Sequence, residues 1–186
     1  MSGHGHVDPS NKKVALLISI LAVLLAFSET LGKGAQTNGL SYNIEASNLW
    51  AFYQAKTIRM TTLRTAAESA ELDLPSVSGA KKEALGKKIS DWKSTAARYD
   101  SEPETGEGRK ELSARAKAAE QKRDRVLAAY HQYEMASALA QIAIVLASAE
   151  VITGVAALVW ISGALGIAGV AFCFLGFFAP NLVHLF

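Results

Sequence analysis

Few residues in this chain have the type and spacing that chemistry requires. His4 and His6 form a His-Gly-His pair with Asp8 close behind. Two imidazoles that close can hold a transition metal weakly, whereas a firm site needs three or four preorganised ligands. A solvated tail is the plainer reading. His131 stands beside Tyr130, and His184 lies near the C-terminal end; both positions suit packing or an interface. The single cysteine, Cys173, excludes an intrachain disulfide and a multi-cysteine zinc site. Its apolar surroundings fit a small buried residue. No Gly-x-Ser-x-Gly, P-loop, His-Glu-x-x-His or Gly-x-Gly-x-x-Gly motif occurs. The Gly106-x-Gly108 pair lies in an acidic loop with no strand pattern before it. The expectation is a protein that is not an enzyme, with no catalytic, cofactor-binding or metal-binding residue.

Glu150 stands apart. It is the one Asp, Glu, Lys or Arg in residues 136–186. Ala140, Ala143, Ala147, Gly154 and Ala157 recur with it at three-to-four spacing, and small residues on one face let helix backbones approach closely in lipid. The opposite face carries Ile142, Val145, Ile152, Val155 and Val159, suited to acyl chains. A carboxylate deep in a bilayer costs several kcal/mol, so Glu150 is expected to face protein. Counting equal depths along antiparallel helices brings Ser19 and Cys173 to its level. Ser19 or a backbone carbonyl is then its hydrogen-bond partner, and the functional alternative is a water-filled path.

These positions imply elements to hold them. Residues 14–31 form an apolar run, VALLISILAVLLAFSETL, preceded by Lys12 and Lys13. Eighteen residues at about 1.5 Å each span about 27 Å, close to a bilayer's hydrocarbon thickness. A cleaved signal peptide would have a shorter apolar core followed by a small-residue cleavage pair, and none follows here. The apolar stretch from Ala136 onward is too long for one crossing. Two spans joined near Ser162-Gly163-Ala164 fit it, with Pro180 at the end. The reading is therefore an all-α membrane protein: a polar disordered tail over 1–13, transmembrane helices at 14–32, 138–161 and 163–181, and a short end at 182–186.

Between the first and second spans, residues 33–137 form a charged helical-bundle insert. Residues 33–135 hold 17 of the 19 Lys and Arg and 14 of the 17 Asp and Glu. Pro75 and Pro103 punctuate the insert, dividing it into helices over 41–72, 79–99 and 109 onward, the last running unbroken into the second span. Leu112, Ala116, Ala119, Arg123, Val126, Tyr130 and Tyr133 follow a coiled-coil-like spacing. Trp50 and Tyr53 lie early in the first of these helices, Tyr130 and Tyr133 late in the last. All four are expected to meet in one membrane-proximal aromatic cluster.

The stretch EASNLWAFYQAKTIR, Glu45 to Arg59, resembles the signature of a bacterial membrane-protein family catalogued as domain of unknown function 4337 (DUF4337). The resemblance covers most of the chain, including the histidine-bearing tail, a Gly34-Ala35-Gln36 turn after the first span, the charged insert and two closing spans. It implies a multi-pass protein of the bacterial inner membrane and carries over no functional residue.

The net charge of +2 excludes a strongly basic nucleic-acid binder. The expected partners are the lipid bilayer and either further copies of the chain or another membrane-protein subunit, with no cofactor. The leading function is a structural or accessory, self-associating membrane subunit. The alternatives are an ion- or proton-conducting oligomer using Glu150, similar in layout to the proton-channel subunits of energy-transducing motors, and a sensor or adaptor whose insert binds a partner. Lys12 and Lys13 before the first span favour a cytoplasmic N-terminus and a periplasmic insert. Lys122, Arg123 and Arg125 oppose that orientation.

Overall fold

The structure, a computed structural model, describes residues 9–182. Among the described residues it is all-helical, with no strand. The elements are α1 (Pro9–Asp73), a single 3-10 turn (Leu74–Ser76), α2 (Ala80–Asp100), α3 (Arg109–Thr153) and α4 (Ala157–Phe178). α1, α3 and α4 are each long and apolar enough to cross a membrane. The chain divides into a middle unit, Ser41–Lys122, and a terminal unit made from Met1–Leu40 with Arg123–Phe186.

Three boundaries differ from the sequence reading. α1 is one helix of 65 residues, where a span and a separate insert helix were expected. Gly34-Ala35-Gln36, expected as a turn, lies inside it. Each interior glycine costs about 1 kcal/mol relative to alanine, and two of those in α1 give room for close approach. Gly32 backs onto Tyr133, and a Cβ on Gly39 would lie 2.8 Å from Leu127 Cδ2. Residues 9–13, read as disordered tail, already belong to α1, which starts at Pro9; the pre-set φ of proline suits a first helical position. The rest of the tail reading, with His4, His6 and Asp8, falls outside the described residues, as does His184.

The third difference is the hairpin. α3 ends at Thr153 and α4 starts at Ala157, about two turns before the expected break at Ser162-Gly163-Ala164. Gly154 adopts φ +70°, a left-handed conformation that glycine takes at little steric cost and that commonly closes helices. Its N–H reaches the Glu150 carbonyl at 2.7 Å, and Thr153 Oγ1 accepts from the Val155 N–H at 3.4 Å. Ser162 reads as a loop residue in sequence. In the structure it is buried in α4 and donates its hydroxyl to the Ala143 carbonyl at 2.8 Å.

In the middle unit, Ala46 and Leu49 of α1 pack against Leu112, Ala116 and Ala119 of α3, with Trp50 and Tyr53 against them. The first part of the coiled-coil-like seam is thus an inward face of α3, covered by α1 of the same chain. Ile89 and Ala96 are the buried residues of α2, and Lys93 of α2 pairs with Glu71 of α1. The 101–108 connection is tied by Glu111, whose carboxylate accepts from Ser101 Oγ at 2.7 Å and from the Glu102 N–H at 3.1 Å.

Leu112 is the one large aliphatic in a core otherwise built mainly of alanine, and it is fully buried. Leu112→Ala should lower the stability of the middle unit by about 2–5 kcal/mol, read as the unfolding midpoint in denaturant. An unchanged midpoint would show that the core does not rest on this side chain.

Candidate functional site

The small-residue stripe is consumed within the terminal unit. Ala136, Ala140, Ala143 and Ala147 of α3 have no exposed surface. Opposite them α4 buries Ser162, Gly166, Gly169 and Gly176. A Cβ on Gly169 would sit 3.3 Å from the Ala136 carbonyl and 3.2 Å from Leu24 Cδ2; one on Gly166 would sit 2.7 Å from Leu21 Cδ2. The stripe therefore brings α3 against α4 and α1. Gly154 and Ala157, expected to extend it, lie beyond the end of α3. The outward residues are large and apolar: Leu16, Ile20, Val23 and Phe27 on α1, Ile142 and Val145 on α3, Ile167, Phe174 and Phe177 on α4.

Glu150 occupies the last turn of α3 rather than the middle of a span. Its Oε2 is buried and has no hydrogen-bond partner among the described residues. Ser19 is exposed and donates to its own helix, to the Ala15 carbonyl at 2.9 Å. The structure does not bring the two together. The antiparallel register that sets Gly32 beside Tyr133 carries Glu150 to the level of Leu16, roughly one turn from Ser19. Cys173 is further displaced, because moving the hairpin turn shifts every α3–α4 pairing by twice the move. With Gly169 beside Ala136, Cys173 falls near Gln132.

A second polar group gathers where α1 and α3 leave their apolar stretches. A cavity of about 270 Å³ is lined by Ser28, Glu29, Lys33, Tyr130, Glu134 and Ser137, among others. Tyr130 donates to Glu134 Oε1 at 3.3 Å, and His131 Nδ1 lies 3.7 Å from Glu134 Oε2. Tyr133 is buried, and a Cβ on Gly176 would lie 2.7 Å from its ring.

The other two predicted aromatics belong to the middle unit. Trp50 and Tyr53 meet edge to face with centroids 5.4 Å apart, and Trp50 Nε1 donates to Glu120 at 2.9 Å. Glu120 precedes Tyr133 in α3 by more than three helical turns, so the four aromatics divide two and two between the units.

Sequence reasoning missed the cations around Tyr53. Arg109 donates to Tyr53 Oη and Thr57 Oγ1, both at 2.8 Å, and pairs with Asp100 at 3.2 Å. Lys56 is buried, with its ammonium 5.4 Å from the Phe52 ring centroid and 4.9 Å from that of Tyr99. Glu107 stands 3.8 Å away. Cation–π contacts strengthen as they are desolvated, so this lysine fastens α1 to α2 and to the 101–108 connection. The available signal was periodicity: Lys56 shares the stripe of Leu49, Tyr53 and Met60. Every group named in this cluster is engaged within the chain, which gives it a structural role.

A family model described as Domain of unknown function (DUF4337) matches residues 10–179. No curated protein and no solved structure matches the chain.

Two carboxyls of the middle unit are held below their ordinary values. Asp100 is lowered first by its bond to Lys110, with Arg109 adding to it, and Glu111 first by its bond from Ser101. A carboxyl depressed on folding stabilises the fold above its unfolded value and loses that contribution as pH falls through its folded value. The melting temperature should stay level from about pH 7 to about pH 5 and fall below about pH 4. Asp100→Asn should shrink the acid fall; an identical fall in that variant would remove Asp100 as a cause.

Proposed function

On the premise that the chain belongs to this family of unknown function, we propose that it is a multi-pass integral membrane protein of the bacterial inner membrane with a structural or accessory role and no catalysis. In this reading residues 14–32 of α1, the apolar end of α3 and all of α4 cross the bilayer. The folded middle unit is then the aqueous module that meets another subunit or another copy.

One observation carries the reading. The terminal unit has large apolar side chains outside and alanine, glycine and a satisfied serine inside. Exposed apolar patches beyond a few hundred square ångströms are rare on soluble monomers, and this arrangement fits a surface whose solvent is lipid. Close backbone approach through small residues is also how helices associate where no hydrophobic drive exists between them.

The conducting alternative receives less support. Glu150 lies beside the hairpin turn, where a carboxylate reaches a bilayer surface by snorkelling, and Leu21, Leu24, Gly166 and Gly169 fill the interior between the three helices. Its one favourable feature is the unpartnered Oε2.

Alkaline carbonate extraction of membranes tests the proposal. The chain should remain in the pellet and leave it only with detergent; release by carbonate alone would overturn it. Orientation is read from a cysteine at the exposed Glu104, in a chain carrying Cys173→Ser. With Lys12 and Lys13 held in the cytoplasm, Glu104→Cys should react with an impermeant reagent added outside the cytoplasmic membrane. Protection until lysis would place the middle unit in the cytoplasm.

A further inference from the structure

The outer face of α1 in the middle unit is uncharged over its whole length. Ser41, Ile44, Asn48, Ala51, Ala55, Ile58, Thr62, Thr65, Ser69 and Leu72 follow one another at alternating spacings of three and four. All are exposed except Ala55, which is half-buried. Ile58 is 67% and Leu72 82% exposed. Seven charged residues lie in 41–73, and every one is off this stripe: Glu45, Lys56, Arg59, Arg64, Glu68, Glu71 and Asp73. The unit's own core takes the other side of the helix, through Ala46, Leu49, Met60 and Ala67. The outward face of a helix in water ordinarily carries its charges, and here they are displaced to the flanks. A groove runs along Ile58, Thr61, Thr62, Thr65 and Ser69.

We propose that this stripe is the seam along which two copies of the chain associate, α1 against α1, in parallel. The spacing argues for a helix as occupant. A repeat of seven residues drifts by about 20° per heptad on a straight helix, and it stays continuous only for a partner helix that supercoils with it. Isoleucine, alanine, threonine and leucine fill one core position of the repeat, and serine, asparagine, alanine and threonine the other. Small and polar seam residues specify register at the expense of stability.

A second copy is the occupant because a two-fold interface presents the same patch from both sides, and the stripe is complementary to itself in length and in lack of charge. Parallel alignment follows from the membrane reading above, on which this inference rests, since copies inserted in one direction share their axis. The footprint is about 48 Å long and about 10 Å wide, or roughly 480 Å² on each copy. That is below the roughly 800 Å² per partner of a stable soluble interface. The pairing therefore depends on confinement of the copies to one membrane, which raises their effective concentration.

Disulfide crosslinking of the full chain in lipid vesicles tests this, with Cys173→Ser in every variant. A disulfide needs Cβ atoms about 3.5–4.5 Å apart, so only residues opposite each other across the axis are joined. Ala51→Cys and Thr65→Cys should give dimers on mild oxidation, and Ser90→Cys on exposed α2 should not. In the parallel register Glu68 faces Asp73 of the partner subunit. Glu68→Lys should raise the crosslinked fraction at Thr65→Cys severalfold, whereas Ile58→Asp should abolish it. Absence of dimers at both seam positions, or equal crosslinking at Ser90→Cys, overturns the proposal. Carbonate extraction of the same vesicles separates the two readings. Retention without crosslinks leaves the membrane reading standing and removes the seam; release by carbonate removes both.

Discussion

The hairpin closed at Gly154 governs the terminal unit. Once that residue takes a left-handed conformation, α4 must return along α3, and the position of the turn fixes which residues meet. Ser162 reaches the Ala143 carbonyl and Gly169 meets the Ala136 carbonyl. Both contacts need backbones too close for ordinary side chains. A bulky residue at Gly166 or Gly169 would strike Leu21 or Leu24 of α1 as well. The same small residues thus set the α3–α4 approach and seat α1 against the pair.

The middle unit solves a different problem. Its apolar core is mostly alanine, which buries little area, and the hydrophobic contribution scales with area. Polar fastening makes up part of the deficit. Arg109 joins Tyr53, Thr57 and Asp100, Lys56 lies between Phe52 and Tyr99, and Trp50 bonds Glu120. Removing one partner of such a buried group costs more than the contact contributes, because the survivor is left unsolvated. That asymmetry gives the unit a defined geometry despite its small core.

Much of this was legible in the sequence. The all-helical class, the breaks at Pro75 and Pro103 and the entry of α3 directly into an apolar stretch follow from periodicity and from the strongest helix breakers. The α3 stripe from Ala140 to Ala147 was legible too, because alanine at three-to-four spacing has few other uses in an apolar helix. The hairpin turn was misplaced because serine and glycine signal both turns and close helix packing, and nothing local separates a Ser162 that bonds across to α3 from one that caps a loop. That single shift moved Glu150 to a helix end and separated it from Ser19 and Cys173. The glycines of α1 misled for the same reason: Gly32 and Gly39 serve Tyr133 and Leu127, which are remote in sequence. Lys56 escaped notice because lysine is ordinarily a surface residue, although its place on the stripe of Leu49 and Met60 was visible.

One further regularity in α1 ties composition to surroundings. The seven-residue spacing of Ile44, Ala51, Ile58, Thr65 and Leu72 continues backward in sequence through Thr37, Thr30, Val23 and Leu16. The neighbouring positions run back from Ser69 through Ser41 and Gly34 to Phe27 and Ile20, again without a charge. Spacing alone does not distinguish the two ends of this series; polarity does. Leu16, Ile20, Val23 and Phe27 are large and wholly apolar, as contact with acyl chains requires. From Ser41 onward the same positions mix isoleucine and leucine with serine, asparagine and threonine, whose polar groups lipid would leave unsolvated at a cost but which water or a facing helix can satisfy. The change in residue type along one unbroken repeat is therefore the mark of a change in medium, and the persistence of the repeat through that change is what an extended helix partner, rather than either solvent, would select.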